Sequence, residues 1–345
     1  MNELELTYTP YSLKLKKPFQ TSGTTISERK GFILKFKSQT NAIGIGEAAP
    51  LPDFGSETYE VDEKALENFN LSLRIDFENL EKSLEENLSD YYSLPSLRCG
   101  LELAILNLIC NERKTTIPSL LNRNYTESVL VNGVIGFISL EKVGEAASEL
   151  VQKGFATIKV KVGRDDFEED FNTIKKIREV AGNNIKLRID ANAKWNKVNA
   201  LEYLNRLGQF NIQYAEQPVK DLTSFLFLND ETKIPLAADE SIRSFKDAEE
   251  IIGIKAASFL ILKPMMIGGI IPTLKIADLA KRNGVETIIT SSFETLVGRT
   301  GVVNAAAFIN NNLAHGLGIA DYFDDEAEIT NPFPVANGKI VFQPK

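Results

Sequence analysis

The chain has 345 residues, 43% hydrophobic and 25% charged, and its 39 basic against 47 acidic residues leave a net charge of −8. That composition is globular rather than disordered, and the acidic surface makes nucleic acid and anionic lipid poor partners. No apolar run approaches the ~20 residues of a bilayer span. The opening Met1-Asn2-Glu3-Leu4-Glu5 lacks the basic start and apolar core of a signal peptide, so a cytoplasmic protein is expected.

Residues 1–127 read as one mixed segment. The alternation in Gly31-Phe-Ile-Leu-Lys-Phe36 predicts antiparallel strands, and helical periodicity runs over 63–86 and 97–111. The loop 48–55, with Pro50 and Pro52, is irregular. Gly44-Ile-Gly46-Glu-Ala-Ala49 imitates a dinucleotide fingerprint, but the prolines forbid the helix that must follow it. Ser27-Glu-Arg-Lys30 spells Ser-x-x-Lys without the companion motifs of that serine chemistry. Cys99 and Cys110 fall in the second helical run and read as core thiols, not as a zinc site or a disulfide framework.

From residue 129 the texture changes. Strands are predicted at 129–134, 157–162, 186–189, 212–215, 235–238, 258–262 and 286–290. Helices fit between them at 140–153, 167–180, 197–207, 246–252, 270–283 and 295–311. Alternating strands and helices mean a parallel sheet, and this many units imply a closed α/β barrel. The last thirty or so residues lose the rhythm and are expected to pack back on the first segment.

Four successive strands end in a charged residue: Asp190, Glu216, Asp239 and Lys263, spaced by 26, 23 and 24 residues. Each interval is one strand–helix unit, and the C-terminal strand ends of such a barrel meet at one mouth. One strand earlier, Lys159 and Lys161 share a face because strand side chains alternate. Three carboxylates brought together repel unless a cation lies among them, and an oxygen-only set selects a hard ion, Mg²⁺ before Ca²⁺. The single histidine, His315, excludes His-rich zinc centres and reads as a structural polar group; acid–base work falls to carboxylates and lysines. Lysines beside a divalent ion suit abstraction of a proton next to a carboxylate. Trp195 and the phenylalanines read as packing, and Asp321, Asp324 and Asp325 as solvated acidic surface.

Lys159-Val-Lys161, Asp190-Ala-Asn192, Glu216-Gln-Pro218, Asp239-Glu-Ser241 and Lys263, in that order, resemble the motifs of the enolase superfamily in its muconate-lactonising-enzyme-like subgroup. The resemblance covers the whole chain. It implies an α/β fold: a modified (β/α)7β TIM-like barrel at 128–318, with an N-terminal α+β capping domain at 1–127 and a C-terminal return at 319–345. Further motifs are Gly46-Glu-Ala-Ala-Pro50, Leu262-Lys-Pro-Met-Met-Ile-Gly-Gly269, Thr290-Ser-Ser-Phe-Glu294 and Ala314-His-Gly-Leu-Gly318. These are similar to the o-succinylbenzoate synthases, hydro-lyases of menaquinone biosynthesis.

That resemblance implies Mg²⁺ (or Mn²⁺ in its place) on Asp190, Glu216 and Asp239, with Lys161 and Lys263 catalytic. Lys161 would act as base and acid in a syn dehydration, and Lys263 would stabilise the anion from the other face. It also implies contacts to a small carboxylate substrate from Lys159, Asn192, Ser291 and Ser292. The capping loops 20–25 and 50–54 would close over the substrate's tail. Dipeptide epimerases, N-succinylamino-acid racemases and muconate cycloisomerases share the frame. Dipeptide epimerases typically carry Asp-x-Asp after the eighth strand for the substrate ammonium, and Gly318-Ile-Ala-Asp321-Tyr-Phe-Asp324 lacks that spacing. The sequence leaves the oligomeric state open.

Overall fold

The computed structural model describes residues 4–20, 25–69, 74–318, 323 and 331–344. The first part is an antiparallel meander of β1 (Glu5–Gln20), β2 (Thr25–Lys37) and β3 (Ile43–Ala48). It is followed by α1 (Tyr59–Glu67), α2 (Leu80–Asn87), α3 (Pro95–Arg113) and α4 (Ile117–Leu120). Alternation on β2 turns Phe32, Leu34 and Phe36 into the core. Helix α3 opens on a proline and is buried along most of its length, with β3 against it. Gly44 and Gly46 permit that contact, because a Cβ on either would strike the α3 backbone. The glycines of the false dinucleotide motif therefore serve strand–helix packing. The helical run expected over 63–86 is interrupted: Ser83 and Asn87 side chains bond the backbone of Arg74, and Asp76 Oδ1 accepts from Glu78 N. Short polar side chains that capture nearby backbone groups compete with the helix.

The second part runs β4 (Ser128–Leu130), β5 (Gly133–Ile135), α5 (Leu140–Gln152), β6 (Thr157–Lys161), α6 (Phe167–Ala181), β7 (Lys186–Asp190), α7 (Lys197–Leu207) and β8 (Ile212–Glu216). It continues with α8 (Leu222–Glu231), β9 (Leu236–Ala238), α9 (Phe245–Gly253), β10 (Phe259–Leu262), α10 (Pro264–Ile267), α11 (Ile270–Arg282), β11 (Glu286–Ile289) and α12 (Leu296–Ile309). Strands β5 to β11 form one parallel seven-stranded sheet in chain order.

The sheet closes through His315 and Gly316. Gly316 N donates to Ile289 O, and its carbonyl accepts from Ser291 N. His315 N donates to Leu130 O, and Asn132 N to His315 O. A reduced eighth strand thus completes a (β/α)7β barrel, as expected. Burial pushes the His315 imidazole down to about 3, and its Nδ1 accepts from Ile289 N at 2.9 Å, so the ring is a neutral structural group.

Two further sequence expectations are corrected. The strand predicted at 129–134 divides, because β4 pairs with β13 (Lys339–Val341), itself paired with β12 (Val335–Ala336), while β5 pairs with β6 and the 130–132 stretch between them takes the bonds to His315. Helix α8 escaped prediction because Leu-Thr-Ser-Phe-Leu-Phe-Leu has no polar face, although its Asp221 cap, accepting from Ser224 N, was a readable start signal. No helix among the described residues is long and apolar enough to cross a membrane.

Candidate active site

Parallel register assembles the barrel mouth. Lys161 lies opposite Asp190, Asp190 opposite Glu216, and Glu216 opposite Ala237, two residues before Asp239. Beyond these ends the chain turns through left-handed backbone at Asn192 (φ 44), Ala193 (φ 59) and Gln217 (φ 38). Such conformations cost free energy outside glycine and cluster where function fixes the backbone. Gln217 knits two strand ends together: its Oε1 accepts from Asp239 N at 2.9 Å, and its Nε2 donates to Ser241 Oγ at 2.7 Å.

The charged side chains meet as expected from their spacing. Lys159 Nζ stands 2.8 Å from Asp190 Oδ2 and 2.6 Å from Glu216 Oε1. Lys161 Nζ donates to Asp190 Oδ2 and to Asn192 Oδ1, both at 2.7 Å, and Asn192 Nδ2 donates to Glu240 Oε1 at 3.0 Å. Lys263 Nζ pairs with Asp239 Oδ1 and lies 5.4 Å from the centre of the Phe54 ring. Burial opposes ionisation of Asp190, yet the ammonium groups of Lys159 and Lys161 outweigh it and hold the carboxyl well below its usual range. Burial, with Asp190 beside it, pushes Glu216 up to about 8. Burial works against the charge on Lys159, but Asp190 and Glu216 raise it well above the usual ammonium range.

The cluster therefore sets three carboxylates against three lysines, and Glu216, deepest from solvent and beside Asp190, is the one whose charge is least well supported. Among the described residues no set of three His, Cys, Asp or Glu side chains is gathered closely enough to grip an ion as it stands. Each of the three carboxylates is engaged by a lysine ammonium instead. The donor set still fits a hard divalent ion: it is all oxygen, and Glu216 Oε2 is buried without a hydrogen-bond partner.

Above these groups lies a cavity of about 310 Å³. Lys159, Lys161, Asn192, Lys263 and Ser291 all line it, together with the three carboxylates. Ser292 does not reach it: the residue is fully buried, and its backbone N–H binds Glu294. Ser291 Oγ also donates to Glu294. The capping part contributes Asp53 and Phe54, and Arg243 of the barrel donates to Phe54 O. Residues 21–24 of the other expected loop, and Asp321, Asp324 and Asp325, lie outside the described residues.

Sequence reasoning missed Tyr214, Glu240, Arg243 and Phe293 in the cavity wall. Tyr214 was legible by alternation, two residues before Glu216 and on the same face. Phe293 was not, because its place depends on left-handed backbone at φ 62 and on Arg29 Nε donating to its carbonyl at 3.2 Å.

Known proteins are similar to this chain along its whole length. Residues 142–345 match the family model described as enolase C-terminal domain-like, and residues 5–108 match that of the MenC N-terminal domain. The N-succinyl-L-Arg/Lys racemase of Bacillus cereus is 29% identical over 85% of this chain and 81% of its own. The L-Ala-D/L-Glu epimerase of Clostridium acetobutylicum is 30% identical over 86% of this chain and 84% of its own. The crystal structure of the dipeptide epimerase from Enterococcus faecalis, complexed with Mg and the dipeptide L-Leu-L-Tyr, superposes with a TM-score of 0.88 at 26% identity, covering 100% of this chain and 98% of that one.

These relatives overturn the expected o-succinylbenzoate synthase activity and with it the hydro-lyase assignment and the place in menaquinone biosynthesis. The three similar proteins named above are racemases and epimerases. The error has a physical origin: apart from Lys263, the motifs that suggested a synthase build strand ends and the barrel closure around a rim of lysines and carboxylates, and that rim serves any abstraction of a proton next to a carboxylate.

Proposed function

We propose that this chain, which belongs to the enolase C-terminal domain-like family, is a divalent-metal-dependent racemase or epimerase that inverts the α-carbon of an N-acylated amino acid. Dipeptides and N-succinyl amino acids, named for its relatives, share that chemistry: a free carboxylate beside a C–H, with an acyl group on the adjacent nitrogen. The observation that carries the proposal is the pair Lys161 and Lys263. They stand at the ends of β6 and β10, separated by the three carboxylate-bearing edges, and line the same cavity.

In this proposal Asp190, Glu216 and Asp239 would hold Mg²⁺, with Mn²⁺ as a substitute. A cation there would neutralise the substrate carboxylate and acidify the neighbouring C–H. One lysine takes the α-proton from one face, and the other delivers a proton to the opposite face, so composition is unchanged and configuration inverts. Lys159 balances the charge of Asp190 and Glu216. Asn192, holding Lys161 at 2.7 Å, aims it. Ser291 is placed to meet substrate oxygen. The missing Asp-x-Asp spacing after the eighth strand favours an acyl group without an ammonium, and Arg243 supplies a cation in the cavity wall. An N-succinyl amino acid therefore fits better than a dipeptide.

The test is incubation of the purified protein with Mg²⁺ in D2O against panels of N-succinyl-amino acids and dipeptides. Loss of the α-proton signal in NMR, with growth of the opposite configuration, is expected for at least one N-succinyl-amino acid. Absence of exchange across both panels would end the proposal. Exchange confined to dipeptides would end its choice of acyl group.

A further inference from the structure

Helix α3 of the capping part reaches into the segment that follows Lys263. Ser96 Oγ contacts Met265 Sδ at 3.4 Å, and Arg98 donates to Gly268 O. Glu102 Oε1 accepts from Ile270 N at 2.5 Å and from Ile271 N at 3.1 Å, satisfying orphan donors in the first turn of α11. Arg98 and Glu102 lie 3.7 Å apart, one helical turn from each other, with side chains 1% exposed. Gly268 (φ 99) and Gly269 (φ 132) bend the chain between them. A side chain at Gly269 would collide with the Glu102 carboxylate, so the segment is shaped to this contact.

Lys263 is the residue from which that segment starts. It is the N-cap of α10, and its carbonyl accepts from Met266 N at 2.8 Å and Ile267 N at 2.9 Å. We infer that Glu102, with Arg98, is a positioning residue for Lys263: the capping helix, through α10 and the start of α11, sets where the second lysine stands. No such bond from Glu102 reaches Lys161, whose following loop is held by Asp170 Oδ2 accepting from Gly163 N and Arg164 N. The inference deepens the two-lysine proposal and rests on it for its catalytic consequence.

The test compares Glu102→Gln, which keeps an acceptor oxygen, with the double variant Arg98→Met/Glu102→Leu. The double variant removes acceptor and charge together, and apolar replacement of a buried pair commonly preserves folding where a single deletion does not. Amide hydrogen exchange of the full-length protein is read by mass spectrometry on peptides covering 263–272 and 157–165. Exchange at 263–272 should quicken by about 10-fold in the double variant and stay near wild type in Glu102→Gln, with 157–165 unchanged in both. Wild-type protection at 263–272 in the double variant, or equal loosening of both segments, overturns the inference.

The second measurement is α-proton washout into D2O, recorded separately from each enantiomer of an N-succinyl-amino acid. The double variant should lose about 100-fold for the enantiomer served by Lys263, the scale of a small misplacement of a catalytic group, and stay within about twofold for the other. Equal losses overturn positioning. If the wild type exchanges neither enantiomer, the proton-transfer proposal falls, and hydrogen exchange alone still decides the role of Glu102.

Discussion

The two lysine-bearing edges of the mouth are built by different parts of the chain. Lys161 sits on β6, flanked by β5 and β7; its ammonium binds Asp190 and Asn192, and Glu240 supports Asn192. Each of those partners belongs to the barrel. Lys263 faces Phe54 of the capping part, and the turn it begins is gripped by Ser96, Arg98 and Glu102. One edge is therefore set by its own sheet, while the other is completed only when two parts of the chain dock. The adjoining β11 edge follows the second pattern: Glu47 of β3 accepts from Thr295 N at 2.9 Å and Gly298 N at 2.7 Å at the start of α12. A change in the capping part should consequently act on one side of the chemistry.

Metal removal gives the largest effect and the reference for that asymmetry. Asp190, Glu216 and Asp239 lie between the two lysines, so EDTA should abolish exchange from both enantiomers, and Mg²⁺ or Mn²⁺ should restore both together. Full washout in chelated protein would remove the carboxylate cluster from the mechanism. Single lysine replacements come next. Lys161→Ala and Lys263→Ala should each lower racemisation by roughly 100- to 10,000-fold, the span of general acid–base catalysis. Each should retain washout from one enantiomer, and a different one. Loss of the same enantiomer in both variants would contradict opposed roles for the two edges.

What the sequence disclosed divides along the same line. Asp190, Glu216, Asp239 and Lys161 were legible because barrel periodicity turns one-dimensional spacing into a shared rim, and alternation fixes which side chains point inward. The barrel followed from the same rhythm and its (β/α)7β form from family resemblance, while the closing stretch at His315 and Gly316 was not among the predicted strands. The supports of Lys263 were not legible. Arg98 and Glu102 read as an ordinary i,i+4 pair on a helix, and nothing local shows that both are buried against residues 268–271. The substrate class was hidden for a related reason: the rim is common to several reactions, while the wall above it comes from loops whose placement depends on docking, such as Asp53 and Phe54.

The Glu102 contact carries its own pH signature. Burial raises its carboxyl to about 7 against the opposing pull of Arg98 and the N–H groups of Ile271 and Ile270. A folded-state value above the ordinary one of 4.5 means that folding favours the protonated form. This contribution is complete below about pH 4.5 and is lost as pH rises through 7, a change of about 3 kcal/mol at most. Glu102→Gln cannot titrate there. The stability of wild type relative to that variant, from urea unfolding at a series of pH values, should therefore fall between pH 4.5 and 8. A flat difference would mean that the carboxylate is better solvated than its burial implies.

The smallest expected effect probes the barrel-built edge alone. Ala193 holds φ 59 immediately beyond Asn192, and its N–H donates to Gln217 O at 2.7 Å. Left-handed backbone costs a non-glycine residue about 1–2 kcal/mol, whereas glycine adds conformational entropy to the unfolded chain worth about 0.4–1 kcal/mol. Ala193→Gly should therefore stabilise the protein by about 0.5–1 kcal/mol in chemical denaturation. If the bond to Gln217, rather than the alanine side chain, fixes this turn, Asn192 keeps its hold on Lys161 and washout from both enantiomers stays at wild-type rates. A selective loss from the Lys161-served enantiomer would show instead that the Lys161 edge also depends on a strained side chain, and the contrast between a self-sufficient edge and a docked one would weaken.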